Sequence, residues 1–159
     1  MRATLLRPIG IIHTPHRDQA GAPIQPTFAE GARGTITIFD PYVEALSDLS
    51  GFERIWLLFE FDRSAPWASR VIPYRDVVTR GLFATRAPAR PNPIGLSAVR
   101  LLSIDGNTLQ VEGVDMLDGT PLLDIKPYVP AFDAYPDSRA GWVDVSASKQ
   151  RVSDDRFEE

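Results

Sequence analysis

A cluster of chemically capable side chains occupies residues 115–128 of the chain. This stretch carries three carboxylates, a lysine and a tyrosine around an Asp-Gly turn. Carboxylates in such a cluster suit ribose hydroxyls, a sulfonium or amino cation, or the removal of a proton. The alternative is a turn whose side chains cap the backbone, and Asp118 fits that alternative better than Asp115 or Lys126 do.

A proline-rich loop over residues 81–97 is the second candidate for chemistry. Three prolines in this stretch fix the backbone φ angle and stiffen it. Arg86, Arg90 and Asn92 would then be held at low conformational entropy, which suits a binding loop of defined geometry. The alternative is a rigid barrel corner whose arginines face solvent.

The charge of the chain is unevenly distributed. The formal net charge is −4, yet residues 63–100 carry seven arginines and one acid. This stretch therefore has a net charge of +6 inside a remainder of −10. Such a block can form one anion-binding face on an otherwise acidic protein, although a solvated arginine-rich surface is the simpler alternative.

Several common catalytic and cofactor-binding motifs are absent from the sequence. The absence of cysteine excludes a disulfide framework, thiolate catalysis and cysteine metal sites. Two histidines cannot make a three-histidine zinc site, so we expect no metal. The glycines form no dinucleotide fingerprint, no phosphate loop and no G-x-S-x-G elbow. An enzyme of this sequence would work without metal, thiol or histidine triad, or would bind a cofactor through irregular loops.

The elements that must position these residues read mainly as strands. Fourteen prolines spread over 159 residues exclude an all-helical bundle. Apolar and alternating runs predict strands over residues 8–14, 34–39, 54–61, 79–85, 96–104, 108–114 and 122–125. Residues 105–107 predict a hairpin turn, and Asp40-Pro41 predicts the N-cap and first turn of a short helix over residues 42–49. Residues 15–34, 64–78 and 86–95 read as long irregular loops.

These elements predict a closed or nearly closed antiparallel β-barrel with one short helix and long proline-rich loops. Closure fits best because it removes sheet edges, and a sandwich is the alternative. We expect the barrel domain to span residues 1–135 and a polar arm or tail to span residues 136–159. No run is long enough for a membrane span and no signal peptide is recognisable, so we expect no membrane partner and a cytoplasmic location.

The two segments singled out above, residues 81–97 and 115–128, resemble the TsaA/TrmO-like (YaeB) family. Its hallmarks are a G-x-F-A-T-R-x-P-x-R-P-N-P-I-G-x-S loop and a D-x-x-D-G-T-P-x-x-D-I-K-P-Y segment, and both stand here almost letter for letter. The resemblance spans about residues 7–133. It implies a β-barrel methyltransferase that uses S-adenosyl-L-methionine outside the usual Rossmann fold, normally as a homodimer. The best-known members methylate N6 of a threonylcarbamoyl-adenosine beside the tRNA anticodon, so tRNA is the implied partner.

The resemblance also implies roles for individual residues. The cofactor-binding residues that it predicts are Pro23, Gln25, Asp62, Phe83, Arg86, Leu96, Val114 and Asp115. Substrate binding is predicted for Arg90, Asn92 and Lys126, and the candidate bases or orienting groups are Asp115, Asp118 and Tyr128.

Two positions depart from the family pattern. Ile24 stands where a P-R-Q patch usually has arginine, and Asp62 stands where histidine is often found. An apolar residue cannot hold a carboxylate or phosphate in a bidentate manner. A small-molecule methyltransferase and a non-catalytic S-adenosylmethionine-binding module on the same barrel are therefore the alternative functions.

Overall fold

The chain folds mainly as β-strands. The computed structural model describes residues 1–146 and 152–158. Over these ranges the strands are β1 (Gly10–His13), β2 (Arg33–Ile38), β3 (Arg54–Glu60), β4 (Arg70–Val71), β5 (Arg80–Gly81), β6 (Ile94–Asp105), β7 (Thr108–Glu112) and β8 (Thr120–Pro127). β4 pairs with β5, and the other strands close an antiparallel barrel in the order β1-β2-β7-β6-β3-β8. The predicted closed barrel is confirmed, and the sandwich alternative is wrong.

Alternating apolar side chains fill the inside of the barrel. Every second residue of β2 and β3 is buried, as the period of a strand with one face in a core requires. Burial of each large apolar side chain contributes roughly 1.5–3 kcal/mol, so this set is the main source of barrel stability. Its members are Ile12, Ile36, Ile38, Ile55, Leu57, Phe59, Val99, Leu109, Val111, Val114, Met116 and Leu122.

The strands β3 and β6 approach each other closely at one register position. Phe59 pairs with Gly95, and a Cβ atom at Gly95 would lie 2.2 Å from the Phe59 ring. A side chain at this position would have to displace an aromatic ring whose residue is 3% exposed. Glycine is therefore required there by packing.

The predicted hairpin is confirmed between β6 and β7. Asp105 pairs with Thr108, so Gly106 and Asn107 form the connection. Gly106 has a φ of 59°, in the left-handed region that glycine enters without a Cβ penalty. The first strand of the hairpin begins at Ile94, two residues earlier than the sequence predicts.

Two predicted elements are corrected. The strand expected over residues 79–85 reduces to β5, followed by a single 3₁₀ turn over Leu82–Ala84. The chain turns there because Thr85 donates its amide and its hydroxyl to the Leu82 carbonyl oxygen. The helix expected over residues 42–49 is a 3₁₀ segment, Asp40–Leu46, with Phe39 rather than Asp40 at its N-cap. Asp48, at a φ of 67°, interrupts the winding before a further turn at Leu49–Gly51.

Among the described residues beyond β8, the chain forms two short helices, α1 (Pro130–Asp133) and α2 (Trp142–Val145). Residues 152–158 then lie against the barrel's loops, and isolated bridges join Pro23 to Val152 and Ser64 to Glu158. Residues 147–151 and 159 lie outside the described residues, so the predicted arm over 136–159 is seen only in part. No helix within residues 1–146 and 152–158 has the length and apolar character needed to cross a membrane.

Candidate functional site

A cavity of about 300 Å³ opens at one end of the barrel. The end of β3, the start of β6 and the residues that follow β7 meet there because the strands run antiparallel. Loops 19–25, 61–64 and 85–90 supply further walls, together with Tyr74, Thr120 and Ser153. Of the residues predicted from sequence, the cavity is lined by Pro23, Gln25, Asp62, Arg86, Arg90, Leu96 and Asp115.

Asp115 lies in the cavity wall, where buried neighbours and a hydrogen bond fix its carboxylate. Val114 and Met116 on either side are buried in the core, which fixes the backbone at this point. Ser97, 2% exposed on β6, donates a hydrogen bond of 2.6 Å from Oγ to Oδ1 of Asp115. Neighbouring protein atoms desolvate the carboxyl group, whereas the residue as a whole is half-buried and reaches the cavity surface.

Burial dominates the protonation of Asp115. Desolvation raises the pKa of Asp115 from 3.8 to about 7, against the opposing effects of the Ser97 hydrogen bond, a backbone hydrogen bond and the Arg86 charge. The carboxyl group is therefore poised to exchange a proton near neutral pH. A cation in the cavity would favour the ionised form.

Arg86 and Gln25 join two loops across the cavity. The Arg86 guanidinium donates a hydrogen bond of 2.6 Å to Oε1 of Gln25. Gln25 is the N-cap residue of a 3₁₀ turn, Pro26–Phe28, which fixes its backbone in an extended conformation. Ile24 also lines the cavity, so an apolar side chain occupies the wall beside Gln25.

Arg90 holds the arginine-rich loop in shape. Its guanidinium donates to the carbonyl oxygens of Thr85 and Ala87, at 3.0 and 3.1 Å. Phe83 lies beside it, with the guanidinium carbon 5.8 Å from the ring centroid, and is 81% exposed outside the cavity lining. Arg90 is thus fixed to the loop backbone rather than left in solvent.

Asp62 and Arg63 form a charge pair at the cavity edge. Nε of Arg63 lies 3.2 Å from Oδ1 of Asp62, and its Nη2 donates to the carbonyl oxygen of Asp118 at 2.8 Å. Asp62 therefore reaches the cavity with its charge balanced by its neighbour.

Asp118 lies outside the cavity lining and caps the backbone. Its Oδ1 accepts the Thr14 amide at 3.0 Å and lies 3.6 Å from Nδ1 of His13. The Thr14 hydrogen bond holds the pKa of Asp118 below its ordinary value. The turn-capping alternative describes this carboxylate.

The remaining predicted residues lie away from the cavity. Tyr128 donates its amide to Arg54 at the opposite end of β3, and Lys126 pairs with Asp124 at 2.9 Å. Asn92 is exposed on its loop, and Val114 is fully buried in the core. None of these four side chains lines the cavity.

Sequence reasoning missed several cavity residues. Ser97 closes the proline-rich loop over residues 81–97, but only the pairing of strands reveals that it faces Asp115. Nε2 of Gln19 donates to the Tyr74 hydroxyl at 2.7 Å, and burial raises the pKa of Tyr74 to about 12. Ser153 lines the cavity from the predicted tail. No local pattern indicated Gln19, Tyr74 or Ser153.

The arrangement can bind a cation and an aromatic or apolar group together. Asp115 offers a carboxylate, Gln25 and Arg86 offer an amide and a guanidinium, and Ile24 and Leu96 offer apolar surface. Within residues 1–146 and 152–158 no group of three metal-ligating side chains occurs. The site therefore has the features of a small-molecule pocket with a few convergent polar groups.

The chain is similar to proteins already described. Residues 11–134 match the family model of the tRNA-methyltransferase O N-terminal domain. A probable S-adenosyl-L-methionine-binding protein of Pyrococcus abyssi is 47% identical over 150 residues, which cover 94% of this chain and 82% of that protein. The tRNA (adenine(37)-N6)-methyltransferase of Escherichia coli is 36% identical over 156 residues, covering 91% of this chain and 66% of the relative.

The fold is also similar to a solved structure. The crystal structure of TrmO from Pseudomonas aeruginosa superimposes with a TM-score of 0.78 at 42% identity. The match covers 91% of this chain and 65% of that one. The present chain thus spans just under two thirds of the Escherichia and Pseudomonas proteins.

Proposed function

Because the chain belongs to the family of tRNA-methyltransferase O N-terminal domains, we propose that it is an S-adenosylmethionine-dependent methyltransferase that acts on tRNA. The proposed acceptor is N6 of a threonylcarbamoyl-adenosine beside the anticodon. The observation that carries the proposal is the enclosed Asp115 carboxylate, held by Ser97 inside a cavity of about 300 Å³. A buried carboxylate with so few partners is costly unless a cation or a proton balances it.

The cavity fits S-adenosylmethionine by the chemistry of its lining. Asp115 would face a cationic group, and the Gln25 amide with the Arg86 guanidinium would bind polar groups on the other wall. Leu96 and Ile24 would contact apolar surface. When bound, S-adenosylmethionine would supply an electrophilic methyl group on a cationic sulfur.

The chain itself must align the acceptor and manage its proton. An amide-like nitrogen is a weak nucleophile, so removal of its proton assists attack. Asp115 is the candidate that both lies in the cavity and has a pKa near 7. The lowered pKa of Asp118 makes it a weaker base, and it also lies outside the lining.

Arginines near the cavity favour an anionic partner. Arg86 and Arg90 bond to neutral oxygen atoms, whereas Arg63, Arg80 and Arg100 pair with carboxylates. Arg86 and Arg90 both line the cavity, and the side-chain and backbone oxygens that they bond to do not neutralise their charge. Binding of an RNA phosphate chain to such a surface would weaken steeply as salt is raised.

Two experiments test the proposal. Calorimetry with S-adenosylmethionine should show binding, and no binding at millimolar ligand would overturn the methyltransferase assignment. Incubation with labelled S-adenosylmethionine and tRNA from a strain lacking the gene should then yield a methylated adenosine derivative by nucleoside mass spectrometry.

Ile24 and Asp62 favour the second candidate, a methyltransferase with a small-molecule acceptor. That candidate predicts activity that changes little between low and high salt. Cofactor binding without methylation of any tRNA pool would instead indicate a non-catalytic binding module. A homodimer and a cytoplasmic location stay predictions, and sedimentation equilibrium tests the first of these.

A further inference from the structure

Residues 152–158, here called the C-terminal segment, run along the rim of the cavity. Ser153 is part of the cavity lining, and the segment touches several of the loops that form the walls. We propose that the C-terminal segment braces the cofactor cavity, with Ser153 and Phe157 as its positioning residues. This inference rests on the proposed function, because it assigns the braced cavity to S-adenosylmethionine.

Ser153 fixes the loop that carries Pro23 and Gln25. The Gly21 amide donates to the Ser153 carbonyl oxygen at 2.8 Å, and the Ser153 amide donates to that of Ala22 at 2.7 Å. The Ser153 hydroxyl contacts the Gln19 and Ala22 carbonyl oxygens as well. Ser153 is 7% exposed, so water cannot readily replace these bonds. The wall next to Gln25 is thus tied at its N-terminal side.

Phe157 anchors the segment beneath the arginine-rich loop. Its residue is 6% exposed, and its ring meets the Tyr74 ring edge-on at 5.2 Å between centroids. It shares a small apolar cluster with Leu82, Ala87 and Ala89. This cluster is separate from the barrel core, and it lies under the loop that presents Arg86 and Arg90.

The C-terminal segment also contacts a third wall of the cavity, formed by residues 62–64. The Phe157 carbonyl oxygen accepts the Ala65 amide at 3.2 Å, next to the cavity residues 62–64. Oε1 of Glu158 accepts the Ala20 amide at 2.9 Å. One short stretch of chain therefore links loops 19–25, 62–65 and 82–89.

The contacts of the C-terminal segment order the cavity loops, and the apolar core of the barrel does not depend on them. None of the described residues 152–158 belongs to the barrel core cluster, so the barrel does not depend on them for its main apolar burial. The loops that the segment links are irregular, and they would sample more conformations without it. A ligand would then have to order the walls on binding, which lowers affinity.

The test compares Phe157→Ala with Phe132→Ala in the full chain. Phe132 is the matched control, because the same ring is removed from a site that is 72% exposed on α1. Calorimetry should show S-adenosylmethionine binding at least tenfold weaker for Phe157→Ala and unchanged for the control. The conservative Phe157→Leu should recover most of the affinity, and amide exchange at Gly21 should speed up only in Phe157→Ala.

Each outcome decides the inference. Equal affinity of the unaltered and Phe157→Ala chains overturns it while leaving the proposed function in place. Should Phe157→Ala fail to fold, Ser153→Ala replaces it, and unchanged affinity there overturns the inference in the same way. Failure of the unaltered chain to bind overturns the proposed function, and the inference with it.

Discussion

The Ser97 hydroxyl and the Asp115 carboxylate lie 2.6 Å apart on neighbouring parts of the barrel wall. Ser97 belongs to β6, and Asp115 follows β7, so the barrel's hydrogen-bonded register brings them together. The bond stabilises the ionised carboxylate, whereas burial opposes it more strongly. The balance of these two effects therefore sets how much negative charge Asp115 carries near neutral pH.

Replacement of Asp115 by Asn should change the pH dependence of stability. The pKa of Asp115 is raised from 3.8 to about 7 in the folded chain, so folding favours its neutral form. Its stabilising contribution is complete below about pH 4 and is lost as the pH rises to 7. We expect Asp115→Asn to be more stable than the unaltered chain by roughly 1–3 kcal/mol at pH 8 and equal at pH 3.

Urea denaturation at several pH values measures this difference, with the exposed Asp105→Asn as control. S-adenosylmethionine affinity should fall in Asp115→Asn even as stability rises. Parallel pH profiles for the two chains would show that Asp115 is not held neutral by burial.

Replacement of Arg86 by Ala should weaken ligand binding without unfolding the protein. Arg86 is exposed and bonds to Gln25, so its removal should cost less than about 0.5 kcal/mol of stability. We expect affinity for S-adenosylmethionine or for the acceptor to drop roughly tenfold, which corresponds to about 1.4 kcal/mol. Calorimetry and thermal melting measure the two effects.

Arg100→Ala is the matched control for Arg86→Ala, since Arg100 pairs with Glu53 at 3.5 Å at the other end of β3. A large fall in the melting midpoint of Arg86→Ala, with unchanged binding, would mean that Arg86 serves the loop's structure alone.

Replacement of Asp118 by Ala separates capping from catalysis. The Thr14 amide loses its acceptor, so we expect a loss of about 1 kcal/mol of stability at neutral pH. Because this hydrogen bond lowers the pKa of Asp118, the loss should shrink as the pH falls through and below 3.8. Binding of S-adenosylmethionine should change less than twofold, and the exposed Asp137→Ala is the control. A drop in turnover as large as that of Asp115→Asn would restore Asp118 as a candidate base.

Replacement of Gly95 by Ala should strain the wall of the cavity. The new methyl would lie 2.2 Å from the Phe59 ring, which is held in the core. We expect a destabilisation of about 1–3 kcal/mol from the forced displacement. Gly81→Ala is the control, because nothing lies within 4 Å of the added Cβ and its φ is −61°. Equal urea midpoints for the two variants would contradict the tight approach of β3 and β6.

The sequence predicts the barrel well because its strands have strong local signals. β2 alternates over six residues, and the turn at Gly106 falls between two alternating runs. The prediction of a strand over residues 79–85 was wrong because the Leu82 carbonyl oxygen accepts two hydrogen bonds from Thr85, which turn the chain. Local strand propensity does not indicate these hydrogen bonds.

The site was predictable in part for the same reason. Asp115 and Arg86 lie in segments 115–128 and 81–97, whose residue types and spacing indicate a site without any knowledge of the fold. The role of Asp118 depends on Thr14, 104 residues away, and that of Ser153 on Gln19, 134 residues away. Contacts over such separations exist only after the chain has folded.

The closure of the barrel has a consequence for how the chain reaches this structure. β1 has four residues, and its second edge pairs with β8 through Gly10–Leu122, Ile11–Pro121 and Ile12–Thr120. Pairing across such a sequence separation carries a loop-closure cost and slows folding. At a synthesis rate of about 5–20 residues per second, β1 exists for roughly 5–20 s before β8 is made. During that interval the edges of β1 and β3 that β8 covers in the folded barrel lack this partner, and mispairing with another strand would begin at these two edges.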